Sequence, residues 1–186
     1  MNQLYESVND IIEFHDKQEA CILQSNKGEL LEDDTPSLIR LYAESVFKLI
    51  SFLEGRFRKV IWSVDSQDKI SQELQEKFKR EPPGEVGFKK ILNHLYGLIN
   101  KYRNFPEQLG LSKKAVWQLG KDIQEFGERG IGFRNWYAHG GWNDEQKQKI
   151  FGSESVELIE CQNLYRDVRA MCLDFEKHIF NRPEKL

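Results

Sequence analysis

Cysteine is scarce in this chain and poorly placed for cross-linking. Its 186 residues hold three, Cys21, Cys161 and Cys172. The number is odd and there is no CxxC pair, which argues against a zinc site and for a reducing compartment. All three are expected as small, buried apolar side chains. Five prolines and thirteen glycines are too few for a low-complexity or disordered chain. No stretch approaches the roughly 20 apolar residues of a membrane span, so no membrane is expected as a partner. The first seventeen residues carry Glu6, Asp10, Glu13 and Asp16 and no long apolar run; this predicts no secretory leader and a cytoplasmic protein. There is no Gly-Lys-Ser/Thr phosphate loop and no Gly-x-Ser-x-Gly elbow. His15 has Glu13 and Asp16 beside it, but not at a zinc-type spacing. No cofactor and no metal is predicted.

What the chain does have is charge, unevenly spread. The formal net charge is −3, with 31% of residues charged and 39% hydrophobic. Residues 1–34 hold nine acidic side chains against two basic ones, whereas residues 86–141 hold nine basic against four acidic. A polyanion would be drawn to the second segment rather than to the whole surface. A chain of this length buries roughly 70% of its unfolded surface, so it folds without staples. One domain, residues 1–186, is expected.

Apolar residues recur at helical spacing almost throughout, and no segment alternates convincingly as a strand. Leu4, Val8, Ile11, Ile12 and His15 predict a helix near 2–25. Thr35 and Pro36 form a helix start, followed by an apolar stripe to about Val64 wide enough for a central helix touched on several sides. Ser66 or Asp68 opens a short polar helix to about Arg80, so that residues 65–85 read as a peripheral helix and loop ended by Glu81-Pro82-Pro83-Gly84. A further helix spans about 86–102. Ser112 caps the next, whose later part is weakened or kinked by Gly120, Gly127, Gly130 and Gly132. Ser153 opens a last helix to about Ile179. The fold class is all-α, a bundle of about five to six helices.

The chemistry concentrates in Arg134-Asn135-Trp136-Tyr137-Ala138-His139-Gly140-Gly141. Arginine clamps phosphate and offsets developing negative charge; histidine moves protons near neutral pH. In a helix, Asn135 and His139 share a face and Arg134 lies one step round, and Gly140-Gly141 is a helix end. An arginine followed by a histidine at this distance arises easily by chance among ten arginines and four histidines; the weight lies on the full string. Tyr137 and Trp142 are candidates to stack on bases, or else core or dimer contacts. Lys113, Lys114 and Arg129 are candidates to track a phosphate backbone, or else solvated charge. His15, His94 and His178 read as structural or solvated. Arg134 and His139 have a plainer alternative too, serving the carbonyls and dipole of a helix end.

That string resembles the Arg-x4–6-His motif of the HEPN superfamily, with Asn135 in the polar position after Arg134 and four residues before His139. The run Phe-Arg-Asn-Trp-Tyr-Ala-His-Gly is similar to the form in many small bacterial members, and the helical pattern around it agrees. The resemblance implies a helical bundle that dimerises, bringing two motifs into one cleft. It implies a metal-independent endoribonuclease of toxin or antiviral-defence type, with RNA as substrate and a possible antitoxin or other protein partner. In that reading His139 moves the proton, Arg134 holds the scissile phosphate and Asn135 orients one of them. The alternative is a catalytically inactive HEPN-like module that binds a nucleotide or a protein partner.

Overall fold

Thr35-Pro36 starts a helix because proline lacks only a donor that the first turn would leave unpaired. No glycine pair or proline interrupts the following 28 residues, and the helix runs unbroken as α2, Thr35–Trp62. Val60-Ile61-Trp62 has β propensity but stays helical, since no strand lies beside it and Ile61 buries in the core. The structure is a computed structural model that describes residues 7–24, 34–62, 69–82, 85–139, 144–151 and 156–180. It is an all-α bundle, with no strand among the described residues.

Helix α2 is the spine. Its buried residues, among them Tyr42, Ser45, Val46, Leu49, Ile50, Leu53 and Phe57, are spread too widely for one contact face. Four helices use them: α1 (Val8–Gln24), α3 (Lys69–Phe78), α6 (Ile131–His139) and α8 (Leu158–Phe175). Helix α3 is mostly polar, yet Ile70, Leu74 and Phe78 are all buried, so the segment expected at the periphery adds three side chains to the core. Helix α4 (Phe88–Lys101) packs on α3 and on α5 (Lys113–Glu125). Between α4 and α5 the chain turns through Pro106–Leu109 and reverses at Gly110, whose φ of 66° suits a residue without Cβ. Ser112 caps α5 as expected, its Oγ accepting from the Ala115 amide at 3.2 Å.

The glycine-rich stretch after α5 does not break. Residues Phe126–Gly130 form one wide π-helical turn, and the rod continues directly into α6. Such turns add a residue without ending a helix. Gly130 allows this one, because a Cβ there would lie 3.3 Å from the Phe126 ring. Phe126 is wholly buried against Phe88 and Phe175, edge to face. Phe126→Ala is expected to cost about 3–5 kcal/mol in urea unfolding. A short helix α7, Asp144–Phe151, was not foreseen. It offers only Ile150 and Phe151 to the core, too few for a periodicity to show. Helix α8 is capped by a Glu157–Glu160 capping box rather than by Ser153, which lies outside the described residues.

Two polar sites lie inside. His15 is buried, with Nδ1 2.8 Å from Ser45 Oγ and its ring stacked on Tyr165 at 4.0 Å. Burial lowers its pKa, so it is a structural imidazole, as expected. Asp122 is buried on α5. Burial pushes its carboxyl up to about 6, a hydrogen bond accepted from Gln118 at 2.7 Å opposes this, and the Asp174 carboxylate adds to it. A folded-state value above the ordinary 3.8 means that the native chain holds the extra proton. The stabilisation is full below that ordinary value and is lost as pH rises through the raised one. Asp122→Asn, which keeps the acceptor for Gln118, should flatten this acid part of the stability–pH curve and raise the unfolding midpoint at neutral pH.

Cys161 and Cys172 are buried as foreseen, and burial pushes the Cys161 thiol up to about 11. Cys21 is exposed instead. No helix among the described residues is long and apolar enough to cross a membrane.

Candidate functional site

Helix α6 carries the motif at the end of the α5–α6 rod. Four of its side chains are fixed by aromatic packing. Phe133 and Trp136 are buried, and both meet Phe151 of α7 with ring centroids 6.0 and 5.7 Å away. Tyr137 lies between Phe133, stacked at 5.7 Å, and Phe47 of α2 at 5.3 Å. These rings, read from the sequence as base platforms or dimer contacts, pack within the chain. Burial raises the Tyr137 pKa, Glu44 adds to the shift and Arg40 opposes it, so the phenol stays protonated beside the first turns of α2. Trp142 and Gly140-Gly141 lie outside the described residues.

The opposite arc of α6 faces solvent. Asn135, Ala138 and His139 are exposed there, which is the shared Asn135–His139 face expected from i, i+4 spacing. Arg134 sits at the border between this arc and α2. Its side chain retains 26% exposure, and Nη2 donates to Glu54 Oε2 at 2.6 Å. Glu54 also accepts from Arg58 Nη2 at 2.6 Å and from its Nε at 3.1 Å. One carboxylate thus carries two guanidinium groups, leaving one surplus positive charge in a half-buried cluster. Arg134 Nε and Arg58 Nη1 are buried without a hydrogen-bond partner. Unspent donors of this kind are costly unless an acceptor arrives, and a phosphate supplies several acceptor oxygens at once.

Sequence reasoning missed Glu54 and Arg58. Their i, i+4 spacing on α2 is visible, but Glu54 and Arg134 are 80 residues apart and only the α2–α6 contact joins them. The pair also answers the plainer reading of Arg134 as a helix-end cap, since its guanidinium donates to a carboxylate. Arg129 is occupied as well, bridging Asp167 at 3.1 Å and the Ile150 carbonyl at 3.4 Å; it ties the π turn to α7 and α8.

Two consequences follow from helix geometry. Residues five apart on an α-helix diverge by about 140° around the axis and about 7.5 Å along it. Arg134 and His139 of one chain therefore leave α6 in different directions. Lys113 and Lys114, exposed at the start of α5, lie some 20 residues up the same rod, roughly 30 Å from the motif. The structure unites Arg134, Asn135 and His139 at one end and places the two lysines at the other. Among the described residues no group of His, Cys, Asp or Glu is arranged to hold a metal ion.

No family model, no curated protein and no solved structure matches this chain.

Proposed function

We propose that this is a metal-independent endoribonuclease of the HEPN type, acting as a homodimer in which His139 of one copy and Arg134 of the other address the same phosphodiester. The observation that carries the reading is the state of the motif. His139 and Asn135 are exposed on one face, while Arg134 is held at its border by Glu54 with a donor unspent. A charged group held in advance of reaction stabilises developing charge without reorganising. The divergence of Arg134 and His139 along α6 supports the second copy, because two chains meeting face to face supply the pair that one does not.

The residues suit transesterification within RNA. His139 takes the proton of a ribose 2′-hydroxyl as that oxygen bonds to phosphorus, and the bond from phosphorus to the 5′-oxygen breaks. The imidazolium returns its proton to the departing oxygen. Arg134 offsets the charge on the non-bridging oxygens, and Asn135, one turn from His139, orients the imidazole or the phosphate. The products are a cyclic phosphate and a 5′-hydroxyl; DNA, which lacks the nucleophile, is spared. A toxin or antiviral-defence role, with an antitoxin as partner, extends the same reading. The direct test is incubation of purified protein with RNA in EDTA, followed by analysis of the new ends. Intact RNA at every pH and salt tried would leave the reading without its reaction.

One observation favours the inactive alternative: the same Glu54 that positions Arg134 also occupies it. Glu54→Gln separates the two. If Arg134 is a preorganised catalytic group, the variant gains affinity for RNA from the lost negative charge and loses turnover, KM and kcat falling together by about tenfold. If the cluster only binds, affinity rises and no turnover exists to lose.

A further inference from the structure

Away from the motif, α4 and α5 enclose a groove of about 210 Å³ whose walls combine rings, cations and amides. Tyr96, Asn100 and Arg103 line it from α4, and Trp117, Lys121 and Gln124 from α5. We infer that this groove binds single-stranded RNA, seating one base against Trp117 and its flanking phosphates on Arg103 and Lys121.

Trp117 is 52% exposed, an unusual place for the largest apolar side chain. Neither it nor Tyr96 makes a contact with another aromatic ring among the described residues, so their faces are open to a ligand. Base stacking on an exposed ring is the sequence-tolerant way to hold a single strand. Arg103 has no carboxylate partner among the described residues, and Lys121 has only its own-helix neighbour Glu125, 3.7 Å away and exposed. Such pairs are weak and yield readily to phosphate. The volume is below the roughly 300–1,000 Å³ of pockets for drug-sized ligands, which suits one ring system. Asn100 and Gln124 supply the donor and acceptor pairs that read base edges.

The lysines stranded by the motif belong here. Lys113 and Lys114 lie one turn before Trp117, so Lys113, Trp117 and Lys121 form a stripe at i, i+4 and i+8 along α5. This is the heart of the basic segment 86–141. The charge on the groove is the complement of a phosphate backbone and a poor match for an apolar protein partner. Trp117 and His139 stand on one continuous helical rod, roughly 30 Å apart. A strand held in the groove is therefore tethered to the molecule that carries the cleavage motif. The choice of RNA over DNA rests on the nuclease reading; the groove itself does not.

The experiment measures binding apart from cleavage. A fluorescein-labelled RNA of about 12 nucleotides is titrated onto the full chain carrying His139→Ala, read by anisotropy at several salt concentrations. Trp117→Ala is expected to raise Kd about tenfold or more, and Trp117→Phe to recover most of it. Arg103→Gln with Lys121→Gln should lower the slope of log K against log salt by about 1.4, for two lost phosphate contacts. Unchanged affinity in Trp117→Ala overturns the proposal. So does a loss of dimer mass in light scattering for that variant, which would make the face a protein interface. If wild-type protein cuts no RNA while binding still depends on Trp117, the groove stands and the nuclease reading falls. If RNA is cut and Trp117→Ala alters neither Kd nor cleavage, the nuclease stands and the groove falls.

Discussion

Replacing His139 with alanine is expected to lower RNA cleavage by about 10²–10⁴-fold, the usual worth of a positioned acid–base group. Arg134→Ala should cost about 10²–10³-fold, as for other groups that meet transition-state charge. The two variants differ in what else they disturb. His139 is exposed, so its loss should leave the thermal midpoint unchanged and the effect should fall on turnover. Arg134 ties α6 to α2 through Glu54, so its removal also takes away a half-buried ion pair. Glu54 keeps Arg58 and is not left as an orphaned buried charge, so the fold should survive at a modest cost. A circular-dichroism melt beside the cleavage assay separates the contributions. Equal cleavage by wild type and His139→Ala would remove the imidazole from the mechanism.

Mixing the two dead proteins is expected to bring cleavage back. If each site takes His139 from one copy and Arg134 from the other, a dimer of one Arg134→Ala chain with one His139→Ala chain holds one complete site. Random exchange makes half the dimers mixed, so activity should recover to at most about a quarter of wild type. The measurement is cleavage after the variants are unfolded together and refolded, compared with each refolded alone. A mixture no more active than its parts would place both residues in one chain. The prediction follows from the helical pitch alone: five residues along α6 turn Arg134 and His139 about 140° apart.

The fold was largely legible before any coordinates. Helical periodicity, the Thr35-Pro36 start and the Ser112 cap are local signals, and local hydrogen bonding decides them wherever packing agrees. Helix α7 escaped because Ile150 and Phe151 are too few to make a pattern. The glycines before the motif misled in detail. Propensity predicts weakness there, but the π turn keeps the rod intact and buries Phe126 between Phe88 and Phe175. Tyr137, exposed in expectation, is held by Phe47, a contact across 90 residues that no local pattern encodes.

By itself the sequence determined that the chain is helical, where most helices begin, and which short string joins a guanidinium to an imidazole. Those are matters of spacing along a backbone, and spacing is what a sequence records. Only the tertiary structure decided that Arg134 is gripped by Glu54, that Phe133 and Trp136 turn inward, and that Lys113 and Lys114 keep company with Trp117 instead of His139. Each depends on which helices lie side by side, and that is settled by the burial of side chains distant in the chain rather than by neighbours along it.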